Sequence, residues 1–151
     1  MSVSGDSKIQ SLKDIAASGR MLSGTTGIVA DPALIAHRLQ EAMGIEVDIV
    51  PFEGDGEVTA ALLGGHIDVQ FGNPSEVLPL LQSGDMRPIA VSSAERLDAL
   101  PDVPTMKELG YDVVLTQLRG FVMPPDVSRE AVAHWANVIE QAVATDQWKE
   151  T

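Results

Sequence analysis

The chain has 151 residues, 44% of them hydrophobic but only 4% aromatic, which is the length of one domain with an aliphatic core. A formal net charge of −12 and a pI near 4.4 argue against nucleic acid or anionic lipid as partners, because both need clustered Lys and Arg. Cysteine is absent, which removes disulfides, thiolate metal sites and a Cys nucleophile. The opening MSVSGDSKIQ lacks a secretory apolar core, and no window reaches the ~20 apolar residues of a membrane span.

Residues 1–10 are small and polar and read as a disordered or expression-derived tail. Ser11 with Asp14 forms a capping box for a short helix through Ala17, closed by Gly19. Residues 20–23 read as a strand running into Gly24-Thr25-Thr26-Gly27, a turn of small residues with free N–H groups and two hydroxyls. Asp31-Pro32 opens a helix with the stripe Ile35, Leu39, Ala42 and Met43, and Gly44 closes it. Val47 and Ile49 alternate with Asp48 in a strand that ends at Pro51-Phe52-Glu53-Gly54, and Asp55 caps the helix carrying Val58, Ala61 and Leu62.

The next stretch, LLGGHIDVQFGNPSE, holds a helix end, a strand and a binding-type turn in succession. Leu62 and Leu63 finish an apolar face, and Gly64 and Gly65 close it. Ile67, Val69 and Phe71 alternate with His66, Asp68 and Gln70 in a strand with one apolar face. Gly72 then turns the chain, Asn73 caps, Pro74 takes the first helical position and Glu76 stands three residues past the cap. Ile89-Ala90-Val91 reads as a buried strand. Thr105 and Glu108 make a second capping box for one turn closed by Gly110, and residues 111–115 and 120–123 read as two more strands. Ser128 caps a last helix whose face carries Val132, Trp135, Ile139 and Val143, a stripe too apolar for water; burial in a homodimer or against the same lobe is expected.

Helix, strand and helix in repetition predict an α/β fold: a three-layer lobe with a mainly parallel sheet of about five strands, whose ligands gather at the carboxyl ends of the strands. Taken alone, the turn at residues 25–27 reads more readily as an ordinary strand-to-helix connection than as a binding loop, and Asn73-Pro74 equally as an ordinary helix start. His37, His66 and His134 have no metal-ligand spacing, so neither metal nor cofactor is expected. Glu53 and Asp68 resemble an acid/base pair only in type, and no G-x-S-x-G elbow surrounds Ser23, so the chain reads as a non-enzyme. Trp135 and Trp148 read as packing residues.

Several segments together resemble the solute receptors of tripartite tricarboxylate transporters, the Bug (TctC) family, which have the type II periplasmic-binding-protein fold. They are Ser11-Leu12-Lys13-Asp14, Val50-Pro51-Phe52-Glu53-Gly54, Leu63-Gly64-Gly65-His66-Ile67-Asp68, and Arg96 followed by Leu100-Pro101-Asp102-Val103-Pro104-Thr105 and Glu108. The resemblance implies a periplasmic two-lobed receptor that closes on a small carboxylate and delivers it to membrane permease subunits. Such receptors run to roughly twice this length. Residues 11–124 then correspond to the second lobe, and residues 125–151 to a helical segment that crosses to a first lobe lacking here. By position, the ligand contacts fall on Thr25, Thr26 and Gly27, on Phe52 and Gly54, and on Gly72, Asn73, Pro74 and Ser75. Asp31 stands where many members have small hydroxyl residues; it either caps its helix or favours an amino-bearing ligand. The rival reading is the effector-sensing domain of a transcription regulator with the same fold, and a further one an isolated lobe without a ligand.

Overall fold

A computed structural model describes residues 1–27, 30–116 and 120–149. The chain forms two compact units, Met1–Gln117 and Leu118–Thr151.

The first unit is built on a five-stranded sheet of order β3-β2-β4-β1-β5, with β1 at Ser2–Ser4, β2 at Arg20–Thr25, β3 at Glu46–Pro51, β4 at Val69–Gln70 and β5 at Met86–Pro88. Strand β2 pairs in parallel with β3 and β4, whereas β1 runs antiparallel to both β4 and β5. Four strands therefore point one way, and β1 alone opposes them.

Helices α1 (Leu12–Ser18), α2 (Asp31–Met43), α3 (Asp55–Leu63) and α4 (Pro74–Ser83) cover the sheet. Successive residues of a strand face opposite sides, and the two apolar clusters divide accordingly. Met21 and Ile49 pack with Leu12 and Ile15 of α1 and Ala36 and Leu39 of α2. Their neighbours Leu22 and Val50 pack with Val58 and Leu62 of α3 and Val77 of α4. The result is the expected three-layer α/β arrangement.

Capping chemistry sets the helix ends. The Asp14 carboxylate accepts the N–H groups of Gln10 (2.9 Å) and Ser11 (2.8 Å), and Gly19 closes α1 at φ 71°. Gly44 ends α2 at φ 66°. Helix α3 takes Gly54, not Asp55, as its cap, and Asp55 moves into the acidic first turn. On α2 the buried stripe is Ala33, Ala36 and Leu39 while Ala42 is exposed. On α3 Leu62 is buried but Leu63 faces out.

Other expectations are corrected. The amino terminus is no frayed tail: Val3 is fully buried in the sheet, and the Arg87 guanidinium donates to the carbonyls of Gly5, Ser7 and Ile9 at 2.9–3.0 Å. A three-residue strand with one apolar side chain has no period to read; the slot between β4 and β5 defines it. The last strand lies at Met86–Pro88, three residues ahead of Ile89-Ala90-Val91, which are buried beyond its end. Residues 111–115 form no strand, although the Leu115 N–H donates to the Ser92 carbonyl (2.8 Å). Residues 120–123 are exposed coil.

The second unit holds α5 (Arg129–Val143) and α6 (Asp146–Lys149). Ser128 caps α5, its hydroxyl accepting the Ala131 N–H at 3.2 Å. No residue of α5 is buried, and Trp135 and Trp148 are both about half exposed. No helix among the described residues is long and apolar enough to cross a membrane.

Candidate functional site

The register of the parallel strands decides where the three loops lie. Thr25 pairs with Pro51 and Gly24 with Gln70, so the carboxyl ends of β2, β3 and β4 are neighbours on one rim of the sheet. The loops that follow, at residues 25–27, 52–54 and 72–75, leave from that rim side by side. The Phe52 N–H donates to the Thr25 carbonyl (2.8 Å), lacing the first two together.

Each loop differs in detail from expectation. Thr25 is fully buried and its hydroxyl donates to the Gly27 carbonyl (2.9 Å), so that hydrogen is spent inside the turn. Thr26 and Gly27 are partly exposed, and Gly27 sits at φ 124°, a conformation a side chain would strain. Phe52 lies half-buried in the second apolar cluster, and Gly54 is an extended helix cap. Gly72 needs no left-handed geometry. Asn73 caps α4 by position alone, its side-chain amide donating to Glu76 Oε1 (3.0 Å) and not accepting a backbone N–H. Pro74 starts α4, Ser75 is exposed, and Asp31 opens the first turn of α2 without acting as its cap residue.

Two supports beneath the rim escaped the sequence reading. Gly24 has no room for a Cβ: one built there meets Ile67 Cδ1 at 2.5 Å, Val58 Cγ1 at 2.8 Å and Phe52 Cε2 at 3.2 Å. Its bareness lets the second cluster close over β2. Gln70, expected on a polar face, is buried in mid-sheet and accepts the Thr59 hydroxyl of α3 at 3.1 Å. A polar residue alternating with apolar ones was the signal, but it reads the same for a solvated face.

The rim is acidic. Asp31, Glu53, Asp55, Glu57 and Glu76 stand at or beside the helix starts, and residues 24–31, 51–57 and 70–76 contain no Lys or Arg. Glu57 turns back on the Glu53 N–H (3.2 Å). The side-chain donors available to a ligand among the described residues of these loops are therefore the hydroxyls of Thr26 and Ser75 and the second amide hydrogen of Asn73, alongside backbone N–H groups. Asp68 lies before β4, accepting the Leu22 N–H at 2.8 Å, and Glu53 follows β3, so the two carboxylates stand at opposite ends of the sheet. Ser23 is buried inside the sheet, and all three histidines are exposed. A cavity of about 230 Å3 lined by Ser4, Asp6, Leu63 and Asp85 opens where β5 begins, at the other rim.

The motif with Leu-Pro-Asp-Val-Pro-Thr folds as a clasp. Thr105 N–H and Glu108 Oε2 (2.7 Å), and Glu108 N–H and the Thr105 hydroxyl (3.0 Å), complete the capping box. Arg96 closes the loop, its Nε on the Glu108 carboxylate at 3.0 and 3.1 Å and its Nη1 on the Pro101 carbonyl at 3.0 Å. The Arg96 hydrogen bond first, and then the Thr105 N–H, hold the Glu108 carboxyl below its ordinary range.

Three layers with loops gathered at the carboxyl rim are an arrangement that this chain shares with solved solute-binding proteins, among them a TctC solute-binding protein from Polaromonas (TM-score 0.79, 23% identity, over 99% of this chain and 53% of that one). MatC from Rhodopseudomonas palustris, solved with bound malate, shares the fold with a TM-score of 0.82 at 19% identity, over 98% of this chain and 52% of that one. The family model "Tripartite tricarboxylate transporter family receptor" matches residues 3–151, and the chain belongs to that family. Among curated relatives, a protein encoded in the gbd 5' region of Cupriavidus necator is 27% identical over 99% of this chain and 47% of its own length. BugT of Bordetella pertussis is 34% identical over 61% of this chain and 28% of its own length. The chain thus spans less than half the length of the curated relatives it matches.

Proposed function

We propose that this chain is the second lobe of a periplasmic receptor that binds a small carboxylate and hands it to the membrane permease subunits of a tripartite tricarboxylate-type transporter, without catalysis, metal or cofactor. The observation that carries the reading is the strand register, which supports a shared half-cleft formed by Thr25, Thr26, Gly27, Phe52, Gly54, Gly72, Asn73, Pro74 and Ser75. Hydrogen bonds from neutral donors to a carboxylate contribute on the order of 1.5–3 kcal/mol each, so no cation is needed. The malate bound to MatC is a ligand of this chemical class. Asp31 either serves the start of α2 or selects a ligand that also carries an amino group.

Half a cleft buries half a ligand, and closure normally covers most of a small ligand's surface. Thermal-shift screening of mono-, di- and tricarboxylates should therefore show binding in a polypeptide that also carries the first lobe and little in this chain alone. Failure of every carboxylate to shift the longer polypeptide would overturn the proposal. A second copy of the chain is a further partner, through the carboxy-terminal helix.

A further inference from the structure

Gln70 is the last residue of β4, at the carboxyl rim, two residues before Gly72 and therefore on the same side of the chain. It is only 3% exposed, a position where an amide must find partners or lose free energy. Half of the amide has one: Oε1 accepts the Thr59 hydroxyl of α3 at 3.1 Å. The other half does not. Nε2 carries two N–H groups and donates neither among the described residues. The described side-chain atoms that are sealed from solvent without a partner are Ser23 Oγ and Arg87 Nε, so Gln70 Nε2, which is not one of them, opens outward.

Gly72 sets where it opens. A Cβ built on Gly72 would meet Gln70 Nε2 at 3.7 Å and, its chain neighbours apart, no other atom within 4 Å. The residue has no positive φ that would call for glycine, so its bareness matters for space and not for conformation. That space lies between the Gln70 amide and the loop at residues 72–75. The bond from Thr59 fixes which end of the amide faces it, and the end that faces it is a donor.

We infer that Gln70 is a ligand-binding residue of the half-cleft: its Nε2 donates to a carboxylate oxygen of the bound acid through the gap left by Gly72, and Thr59 is the positioning residue that holds its carbonyl. This rests on the receptor reading and deepens it. A donor already buried and held on a strand has less freedom to lose on binding than the loop hydroxyls of Thr26 and Ser75.

Calorimetric titration of the two-lobed polypeptide with malate, succinate and citrate tests it. Gln70→Met keeps the length of the side chain and removes the donor, and should weaken binding of whichever acid the unaltered protein takes by about ten- to a hundredfold. Gly72→Ala leaves Gln70 and Thr59 in place and sets a methyl group over the amide. It should weaken binding at least fivefold while the urea midpoint stays level or rises, so it decides the matter even if Gln70→Met fails to fold. Thr59→Ser, which keeps the hydroxyl, should keep the affinity that Thr59→Val loses. An unaltered protein that binds none of the three acids would overturn the receptor reading and this inference with it. Binding that either a folded Gln70→Met or Gly72→Ala leaves within twofold would overturn the placement of Gln70 alone.

Discussion

Replacing Gly24 by alanine tests whether the second cluster is closed as tightly over β2 as the geometry requires. The backbone there is not left-handed, so alanine is conformationally allowed and, by restricting the unfolded chain, should stabilise by about 0.4–1 kcal/mol. Against that stands a methyl group 2.5 Å from Ile67 Cδ1 and 2.8 Å from Val58 Cγ1. The Ile67 terminus can swing aside, but the β-branched Val58 has little rotamer freedom, and overpacking of this kind costs about 1–3 kcal/mol. The net expectation is a loss of about 1–2 kcal/mol, read as a lower urea midpoint at unchanged slope and a melting temperature lower by roughly 3–8 °C. Gly56→Ala is the matched control: it lies inside α3 with nothing within 4 Å of its would-be Cβ, and should stabilise by about 0.5–1 kcal/mol. Equal effects of the two substitutions would refute the packing argument, since the difference between them is the steric term alone.

Thr59→Val leaves the Gln70 side-chain carbonyl buried without its donor and should cost about 1–3 kcal/mol by urea titration. Asp14 and Glu108 both have depressed carboxyl groups, Asp14 chiefly through the Gln10 N–H and then the Ser11 hydroxyl. A depressed folded value means stability that is full above the ordinary carboxylate range and lost as pH falls through the folded values. The destabilisation by Asp14→Asn or Glu108→Gln should thus be complete at pH 7 and fade below about pH 4, as checked by urea midpoints across pH. On the receptor reading, Thr26→Val in a two-lobed polypeptide should weaken carboxylate binding about ten- to a hundredfold by calorimetry without lowering the melting temperature.

What could be read in advance follows from which signals are local. Caps and periods are local, and Ser11 with Asp14, Gly19, Gly44, Pro74 and the Thr105–Glu108 box all stand where residue chemistry puts them. The same holds for the three loops, because a parallel strand followed by a helix start always ends on the same rim. Strand β1 was illegible because Ser2–Ser4 carries no pattern of its own and is held by its neighbours' hydrogen bonds. The strand expected at residues 89–91 slipped toward Met86–Pro88 because pairing with β1, and not apolarity, fixes the register there. Thr25 was misjudged for a related reason: a hydroxyl in a turn looks available until its nearest acceptor, the Gly27 carbonyl, is known.

The acidity of the rim then becomes intelligible in terms of helix starts. Asp55, Glu57 and Glu76 lie in first turns, where a carboxylate is stabilised by the helix dipole and by unpaired N–H groups. The same groups would attract an anionic ligand, so at α3 the ligand competes with side chains already there; Glu57 has taken the Glu53 N–H outright. A carboxylate approaching this lobe alone meets few free donors and several like charges, and gains little. On the receptor reading the balance must come from the opposing lobe, which can bring donors or positive charge and exclude the water that screens neither attraction nor repulsion selectively. Affinity should then fall with rising salt if that lobe contributes a cation, and rise modestly, as salt screens the acidic rim, if it contributes only amides and hydroxyls. A calorimetric salt series on the two-lobed polypeptide separates these cases.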